Sequence, residues 1–242
     1  DLGDAHDWRL LDREPLPQGK LPTGIDKSDV YVADVTDKQA VKEAARGCEV
    51  IIHLAGDPRP NAPWESVLRN NIDGTKTVLE AAVDVGIEKV AFASSNHAVG
   101  FYETEARKPE IYRSDDAFRL DGTELPRPTN LYGVSKAAGE TLARYYHDEH
   151  DLSVVCVRIG NLTEGHPPRN YERGQAMWLS FGDCAHLFDC CITADYGYEI
   201  VYGISDNDRK YYDIEPTREI LGYEPQDNSA EYYLDGTPKD DE

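Results

Sequence analysis

Short, almost uninterrupted apolar runs alternate with amphipathic stretches along most of the chain. The apolar runs cover residues 8–12, 30–35, 50–56, 89–95 and 152–160. Strands that are buried on both faces of a parallel sheet are apolar throughout, and parallel strands are joined by crossover helices. The alternation therefore predicts an α/β fold with a Rossmann-like, doubly wound parallel sheet. Helices are predicted over 37–47, 64–85 and 130–150.

The pattern changes after Asn161. Residues 162–174 are broken by proline and glycine, and helices around 176–180 and 183–192 precede a strand over 198–205 and a looped end. We therefore expect a Rossmann-like core over 1–160, and a smaller, mainly substrate-binding part over 161–242 in the same globule.

The charge of the chain is strongly negative and evenly spread. Lys and Arg number 25 against 46 Asp and Glu, a formal charge of −21, with acids from Asp1 to Glu242. Such a chain repels phosphate backbones, so nucleic acid and anionic membranes are disfavoured as partners. Spread acid of this size indicates adaptation to concentrated salt, which screens self-repulsion; an ordinary acidic cytosolic protein is the alternative.

Two further features bear on the location of the protein. The sequence lacks an apolar run of the ~18 residues that a membrane span needs, and it does not open with a signal peptide. Its five cysteines are an odd number without C-x-x-C spacing, which argues against a zinc module or a disulfide framework. We expect a cytoplasmic protein that binds no metal.

The motif Tyr132-x-x-x-Lys136 carries the clearest chemical signal. Residues four apart on a helix are neighbours, so the phenol and the ammonium share one face. A phenol with a pKa near 10 is a weak base at neutral pH, and a nearby cation stabilises the phenolate. The motif follows a strand that ends in Ser94-Ser95-Asn96-His97, and this combination is much more specific than the Tyr/Lys pair alone.

With these motifs, and with residues 157–161, 176–180 and 202–208, the chain resembles the extended short-chain dehydrogenase/reductase superfamily, in its uronate dehydrogenase-like branch. Within that branch it is most similar to the sugar-phosphate dehydrogenases of salt-loving archaea. The resemblance implies that Tyr132 is the general base, that Lys136 lowers its pKa and holds the nicotinamide ribose, and that Ser95 donates to the reacting oxygen. It also implies a homo-oligomer.

The same resemblance implies a substrate site. Ser95, Asn96 and His97 would line the sugar, and Arg173 would clamp the anionic end of the substrate. Two plainer interpretations stay open: Asn96 and His97 can be hydrogen-bonding residues at a strand end, and Arg173 can be part of a surface ion pair.

Asp12, at the end of its strand, indicates which cofactor is used. An acid at this position accepts from the adenosine ribose hydroxyls and repels a 2′-phosphate, so NAD is expected rather than NADP, although the adjacent Arg13 softens the discrimination. The resemblance adds the other cofactor-binding residues beside Tyr132 and Lys136: Asp34, Val35, Leu54, Ala55, Gly56, Asn71 and Ile159. Asn71 is expected to brace the site; a simple helix-to-strand hydrogen bond is the alternative.

The glycine-rich phosphate loop of this fold should lie about 20 residues before the ribose-binding acid. Only eleven residues precede Asp12, and Gly3 is the single glycine among them. The first strand and this loop are thus expected to be missing, which predicts that the chain is an N-terminally truncated version of a longer one.

The expected reaction is oxidation of glucose 6-phosphate at C1 to the lactone. A dianionic phosphate uses more donors than a carboxylate, and the segment before residue 176 gathers His166, Arg169 and Arg173 in a chain otherwise poor in positive charge. The resemblance also implies that Pro58 lies near the position of a serine that faces the sugar in uronate dehydrogenases, so one contact to a uronate is expected to be missing. The alternatives are that His166 and Arg169 only neutralise neighbouring acids, that the substrate is a hexuronate, and that the protein is a non-catalytic NAD(P)-sensing regulator.

Overall fold

The computed structural model describes residues 5–16, 21, 25–105, 109–112, 118–163, 168–169 and 171–232. All paired strands in these ranges run parallel, which confirms the predicted α/β class. One sheet has two strands, β1 (Leu10–Asp12) and β2 (Val30–Val32). The other has four in sequential order: β3 (Val50–His53), β4 (Lys89–Ser95), β5 (Ser153–Ile159) and β6 (Tyr198–Gly203).

Helices connect these strands, as the amphipathic stretches predict. The α-helical segments of the described residues are α1 (Lys38–Ala45), α2 (Trp64–Ser66), α3 (Gly74–Val85), α4 (Gly100–Glu105), α5 (Leu131–His150), α6 (Glu172–Ala176), α7 (Phe181–Thr193) and α8 (Glu215–Leu221). A π-helical segment, Val67–Asp73, joins α2 to α3, so the predicted helix over 64–85 is continuous. Short 3₁₀ turns occur at Lys27–Asp29, Asn96–Ala98, Pro109–Tyr112 and Ser229–Tyr232.

The four-stranded sheet is buried on both faces, as its apolar strands require. One face packs against α7, with Leu187 and Cys191 beside Val155 and Val157 of β5. The opposite face packs against α3 and α5, where Leu79 and Ala143 cover further sheet residues. The division at residue 160 and a missing strand before Leu10 both remain predictions.

Two glycines bring α5 unusually close to its neighbours. A Cβ on Gly139 would lie 2.4 Å from the Phe92 ring of β4, and one on Gly133 would lie 2.2 Å from the carbonyl oxygen of His97. Both distances are far below normal contact, so only glycine permits this packing. The helix is thereby pressed against the end of β4, which fixes the position of Tyr132 and Lys136.

The structure corrects two predicted elements after residue 170. The helix expected over 176–180 lies earlier, at Glu172–Ala176, because the next segment pairs with Asn161: the Asn161 N–H donates to the Met177 carbonyl, and the Leu179 N–H donates to the Asn161 carbonyl. The looped end contains α8, which has proline in its first turn and ends at Gly222 with φ +70°. Both are helix-terminus signals that the sequence analysis missed.

Candidate active site

A pocket opens where the carboxyl ends of β3, β4 and β5 meet the first turns of α5. It is lined by Leu54, Gly56, Asp57, Pro58, Ala93, Ser94, Ser95, Tyr132, Lys136, Ile159 and Gly160. The carboxyl ends of adjacent parallel strands share one edge of a sheet, which is the usual ligand site of this architecture. Six of the predicted site residues, from the loop after β3, the ends of β4 and β5, and α5, therefore meet at one pocket.

Tyr132 packs against His97, with ring centroids 5.7 Å apart in an edge-to-face arrangement. Burial raises the pKa of Tyr132, the nearby Asp57 carboxylate also raises it, and a hydrogen bond with Ser95 lowers it. The net direction is upward, so the expected lowering by Lys136 is not what the structure shows. The phenol is stabilised in its protonated form here, because desolvation outweighs the hydrogen bond.

Lys136 forms the floor of the pocket. Its side chain is buried, and Nζ donates to the Ala93 carbonyl at 2.7 Å and lies 5.6 Å from the centroid of the Tyr132 ring. Burial lowers the pKa of Lys136 to about 8, against the opposing effect of Glu140. The ammonium is therefore the majority form at neutral pH, and it loses its proton within the range of ordinary assays.

Asn71 ties the loop after β3 to α5. Its Oδ1 accepts from the Asp57 N–H at 2.6 Å, while Nδ2 donates to the Asp57 carbonyl at 3.1 Å and to Ser135 Oγ at 2.9 Å. Gly56 has φ +156°, and a Cβ there would lie 3.0 Å from Asn71 Oδ1. Asn71 thus makes more contacts than a single helix-to-strand hydrogen bond, and its role in bracing the cofactor site stays a prediction.

Asp57 is a charged residue of the pocket that the sequence analysis missed. Its carboxylate is buried, and it accepts from Arg59 Nε at 2.9 Å, from Arg59 Nη2 at 2.6 Å and from the Ser66 hydroxyl. The Arg59 guanidinium holds the pKa of Asp57 far below its usual range, so the carboxylate stays ionised. Its position directly after the apolar run 50–56 was the available signal.

Arg173 lies beside Asn96, but it already has an acidic partner. Its Nη2 is 3.5 Å from Asn96 Oδ1, while its Nε donates to Glu103. Glu103 also accepts from the hydroxyls of Tyr112 at 2.6 Å and Tyr211 at 3.0 Å. This partly buried ion pair holds the Arg173 guanidinium through its Nε. Glu103 is a second residue of the site that the sequence analysis missed.

Of the other cations predicted near the anionic end of the substrate, Arg169 is exposed. His166 lies outside the described residues. Asn96 is buried and donates through Nδ2 to the Ile159 carbonyl at 3.0 Å, so it joins β4 to β5 at the edge of the pocket. The hydrogen-bonding role left open for Asn96 is therefore observed, together with its contact to Arg173.

The residues predicted to bind the adenosine end of the cofactor lie at the carboxyl end of the separate two-stranded sheet. Asp12 ends β1 and is exposed, and Arg13 beside it forms a loose ion pair with Glu14 at 3.8 Å. Asp34 follows β2; it accepts from Thr36 and from Arg69 Nη2 at 2.7 Å, and the Thr36 hydrogen bonds lower its pKa. Val35 packs against Gly74.

Residues at both ends of the expected site have the chemistry that NAD needs. Asp12 offers an exposed carboxylate at the carboxyl end of a parallel strand, the acceptor that ribose hydroxyls need. At the other end, Lys136 and Tyr132 border the pocket together with the small residues Gly56 and Gly160, which leave room for a flat ring. Ala55 is half-buried between these regions. The residues present fit the ribose and nicotinamide portions of the cofactor.

A buried ion-pair network lies behind the pocket. Arg158 of β5 is fully buried, and its guanidinium donates to both carboxylate oxygens of Glu140 at 2.9 and 3.0 Å. Ser94 Oγ donates to the same carboxylate at 2.6 Å, and Tyr202 and Glu124 also contact the arginine. The network joins β4, β5, β6 and α5 directly beneath the catalytic candidates.

Among the described residues, histidine, cysteine, aspartate and glutamate do not gather in groups of three or more that could hold a metal ion. Within the same ranges, the helices are too short or too polar to cross a membrane.

Comparison with known proteins places the chain in a family. Residues 2–178 match the model of the NAD dependent epimerase/dehydratase family. The chain is 71% identical over 240 residues to the NAD-dependent glucose-6-phosphate dehydrogenase of Haloferax volcanii, covering 99% of this chain and 92% of that protein. It is 34% identical over 226 residues to the uronate dehydrogenase of Pseudomonas syringae, covering 93% and 74%.

Solved structures agree with this placement. The crystal structure of glucuronic acid dehydrogenase from Chromohalobacter salexigens superposes with a TM-score of 0.80 at 32% identity, covering 99% of this chain and 84% of that one. A mutant of uronate dehydrogenase from Agrobacterium tumefaciens, complexed with NAD, gives the same values. The chain belongs to the NAD dependent epimerase/dehydratase family, the extended short-chain dehydrogenases.

Proposed function

We propose that this protein is an NAD-dependent dehydrogenase that oxidises glucose 6-phosphate at C1 to 6-phosphogluconolactone. The observation that carries the proposal is the 71% identity, along almost the whole chain, to a glucose-6-phosphate dehydrogenase that uses NAD. The pocket supports it, because Tyr132, Lys136 and Ser95 border one cavity with the chemistry that removes a proton from an alcohol.

The proposed roles follow from the contacts of these residues. Tyr132, as the phenolate, takes the proton of the C1 hydroxyl, and Ser95, which shares a hydrogen bond with Tyr132, donates to the reacting oxygen. Lys136, held by the Ala93 carbonyl, keeps a positive charge near the phenol and orients the ribose. NAD⁺, when bound, supplies the acceptor for the hydride that leaves C1. Burial raises the pKa of Tyr132, so formation of the phenolate depends on the positive charge of Lys136 beside it.

The cofactor assignment rests on Asp12. Its exposed carboxylate ends β1, and a carboxylate there favours the free ribose hydroxyls of NAD over the 2′-phosphate of NADP. We further propose that Asp34 and Val35 border the adenine and that Leu54, Ala55, Gly56, Asn71 and Ile159 bind or brace the rest of the cofactor.

Arg173 is proposed to bind the phosphate, with Asn96 and His97 lining the sugar. Replacing Arg173 by alanine should raise KM for glucose 6-phosphate at least about tenfold, because charge-assisted hydrogen bonds to an anion are the strong ones. It should change kcat much less, since the guanidinium is not placed at the reacting carbon. Steady-state kinetics with NAD⁺ and either glucose 6-phosphate or glucuronate measures both effects.

Arg144→Ala is the matched control, because Arg144 is an exposed arginine of α5 that forms an ion pair with its helix neighbour Asp148. An unchanged KM in Arg173→Ala would remove this residue from the anion site. Higher kcat/KM for glucuronate than for glucose 6-phosphate in the unmodified protein would favour the hexuronate alternative. The similarity to uronate dehydrogenases is the basis of that alternative. The regulator alternative is disfavoured because Tyr132 and Lys136 are both present.

We also propose that the protein is a cytoplasmic homo-oligomer. Leu131, Val134 and Tyr145 are exposed on α5, and at 100° per residue they lie within about 60° of each other around the helix. An apolar stripe on the surface of a chain with charge −21 is a natural contact for a second copy.

Light scattering should therefore give the mass of at least two chains, and Tyr145→Glu, which places like charges across a symmetric contact, should shift the mass to one chain. Glu149→Gln, an exposed change on the same helix, serves as the control. A single-chain mass for the unmodified protein would contradict the proposal.

A further inference from the structure

We infer that Asn130 is a positioning residue which fixes the tautomer of His97 and so makes His97 a hydrogen-bond donor through Nε2. The inference rests on the proposed function for its catalytic consequence, but not for the tautomer itself. Asn130 immediately precedes α5 and is its N-cap: Oδ1 accepts from the Gly133 N–H at 2.7 Å. The Nδ2 of the same amide lies 3.1 Å from His97 Nδ1.

The orientation of the Asn130 amide is decided by its partner in the helix. A backbone N–H can only donate, so the amide atom that faces Gly133 is the oxygen. The atom that faces His97 is therefore the NH₂ group, which can only donate. His97 Nδ1 must then be the acceptor, and the proton of the neutral ring is on Nε2.

The surroundings of His97 favour the neutral ring. Burial lowers its pKa, the Arg173 guanidinium on α6 acts in the same direction, and the Glu103 carboxylate on α4 partly opposes them. The Tyr132 ring on α5 packs edge-to-face against it. Protonation of Nδ1 would also place an N–H against the NH₂ group of Asn130, so the imidazolium would lose the hydrogen bond that the neutral ring makes.

The consequence concerns the sugar. His97 contacts the proposed base, Tyr132, and is close enough to the proposed phosphate ligand, Arg173, to feel its charge. Its fixed tautomer thus has an N–H to offer to an oxygen of the substrate. Asn130 also starts the helix that carries Tyr132, two residues further on. The Asn130 side chain thus fixes both the position of Tyr132 and the nitrogen of the His97 ring that carries the proton.

The test exchanges the donor for an acceptor while the helix cap is kept. Aspartate, asparagine and serine are all good N-cap residues, so Asn130→Asp and Asn130→Ser should both fold with little loss of stability. In Asn130→Asp, however, the carboxylate can only accept. His97 should therefore move its proton to Nδ1, and its pKa should rise beside the new negative charge. In Asn130→Ser the short side chain keeps the cap but releases the ring.

The readout is the ¹⁵N NMR spectrum of the whole protein with labelled histidine, followed over pH, with His97→Gln to identify the signal. The unmodified protein should show the Nε2–H form, and Asn130→Asp should show the Nδ1–H form with a higher pKa. For glucose 6-phosphate, kcat/KM of Asn130→Asp should fall at least about tenfold, because the substrate loses a donor, and should acquire the shifted His97 titration.

The outcomes separate the two proposals. An Nδ1–H ring in the unmodified protein, or an unchanged His97 spectrum in Asn130→Asp, would overturn the inference regardless of substrate. Absence of activity toward glucose 6-phosphate and glucuronate would instead overturn the proposed function, since the NMR measurement needs no substrate. A spectrum that changes as expected while kcat/KM stays within about twofold would show that the His97 proton does not serve the reaction and would reject the positioning role.

Discussion

Replacing Tyr132 by phenylalanine is expected to lower kcat for sugar oxidation by at least about 100-fold, the usual contribution of a general base. The affinity for NAD⁺ should stay within about twofold, because the phenylalanine ring still packs against His97 and the floor of the pocket is unchanged. Turnover is followed through NADH absorbance, and cofactor affinity through quenching of protein fluorescence.

Tyr145→Phe is the matched control, because Tyr145 lies on the same helix outside the lining of the pocket, and phenylalanine keeps the ring that the proposed contact between copies uses. It should retain the activity of the unmodified protein. Residual kcat of Tyr132→Phe within tenfold of that value would remove Tyr132 from the role of base. A parallel loss of NAD⁺ affinity would indicate a damaged pocket instead of a missing proton acceptor.

Replacing Glu140 by leucine should destabilise the protein by about 3–5 kcal/mol, because it leaves the buried Arg158 guanidinium without its carboxylate. Arg158 is fully buried, and Glu140 accepts from two of its nitrogens and from Ser94. The free energy of unfolding, taken from denaturant titrations at constant salt, measures the loss. The activity of the folded fraction should also fall, since Ser94 precedes the catalytic candidate Ser95.

The double variant Glu140→Leu with Arg158→Met is the informative control. Apolar replacement of both partners of a buried ion pair is often close to neutral, so most of the stability should return. If the single variant lost less than about 1 kcal/mol, another acid would have to balance the arginine, and Glu124, 3.3 Å from Nη1, is the residue placed to do so. That result would contradict the central place given to Glu140.

The fold was largely predictable because its signals are local. Apolar runs mark strands buried on both faces, and the predicted strand over 89–95 has the bounds that the structure shows. The meeting of Ser95, Tyr132, Lys136 and Ile159 at one pocket was also predictable, since the carboxyl ends of parallel strands share an edge.

Pairings between distant residues were not predictable from one sequence. Glu103 and Arg173 are seventy positions apart, and only the folded chain shows that the expected anion clamp already has an acidic partner. Asn130 is the first residue of the predicted helix over 130–150, and its hydrogen bond to His97 depends on how closely α5 approaches the end of β4. The charges Glu140 and Arg158 did carry a signal: an arginine inside the apolar run 152–160 needs a buried acid.

The Tyr132-x-x-x-Lys136 motif also does not predict that the pKa of Tyr132 is raised. The spacing of Tyr132 and Lys136 predicts that they are neighbours, but the direction of the pKa shift depends on how much water the pocket excludes. Desolvation acts against the phenolate, and the motif alone contains no measure of it. A site can therefore have the expected residues in the expected places while burial still raises the pKa of its base.

The most direct test of the proposed function uses glucose 6-phosphate that carries deuterium at C1. Incubated with the protein and NAD⁺, it should give NADH that contains the deuterium and a lactone that hydrolyses to 6-phosphogluconate, both identified by mass spectrometry. Glucuronate deuterated at C1 should react with lower kcat/KM. NADH without deuterium, or deuterium transfer from glucuronate but not from glucose 6-phosphate, would contradict the proposed function.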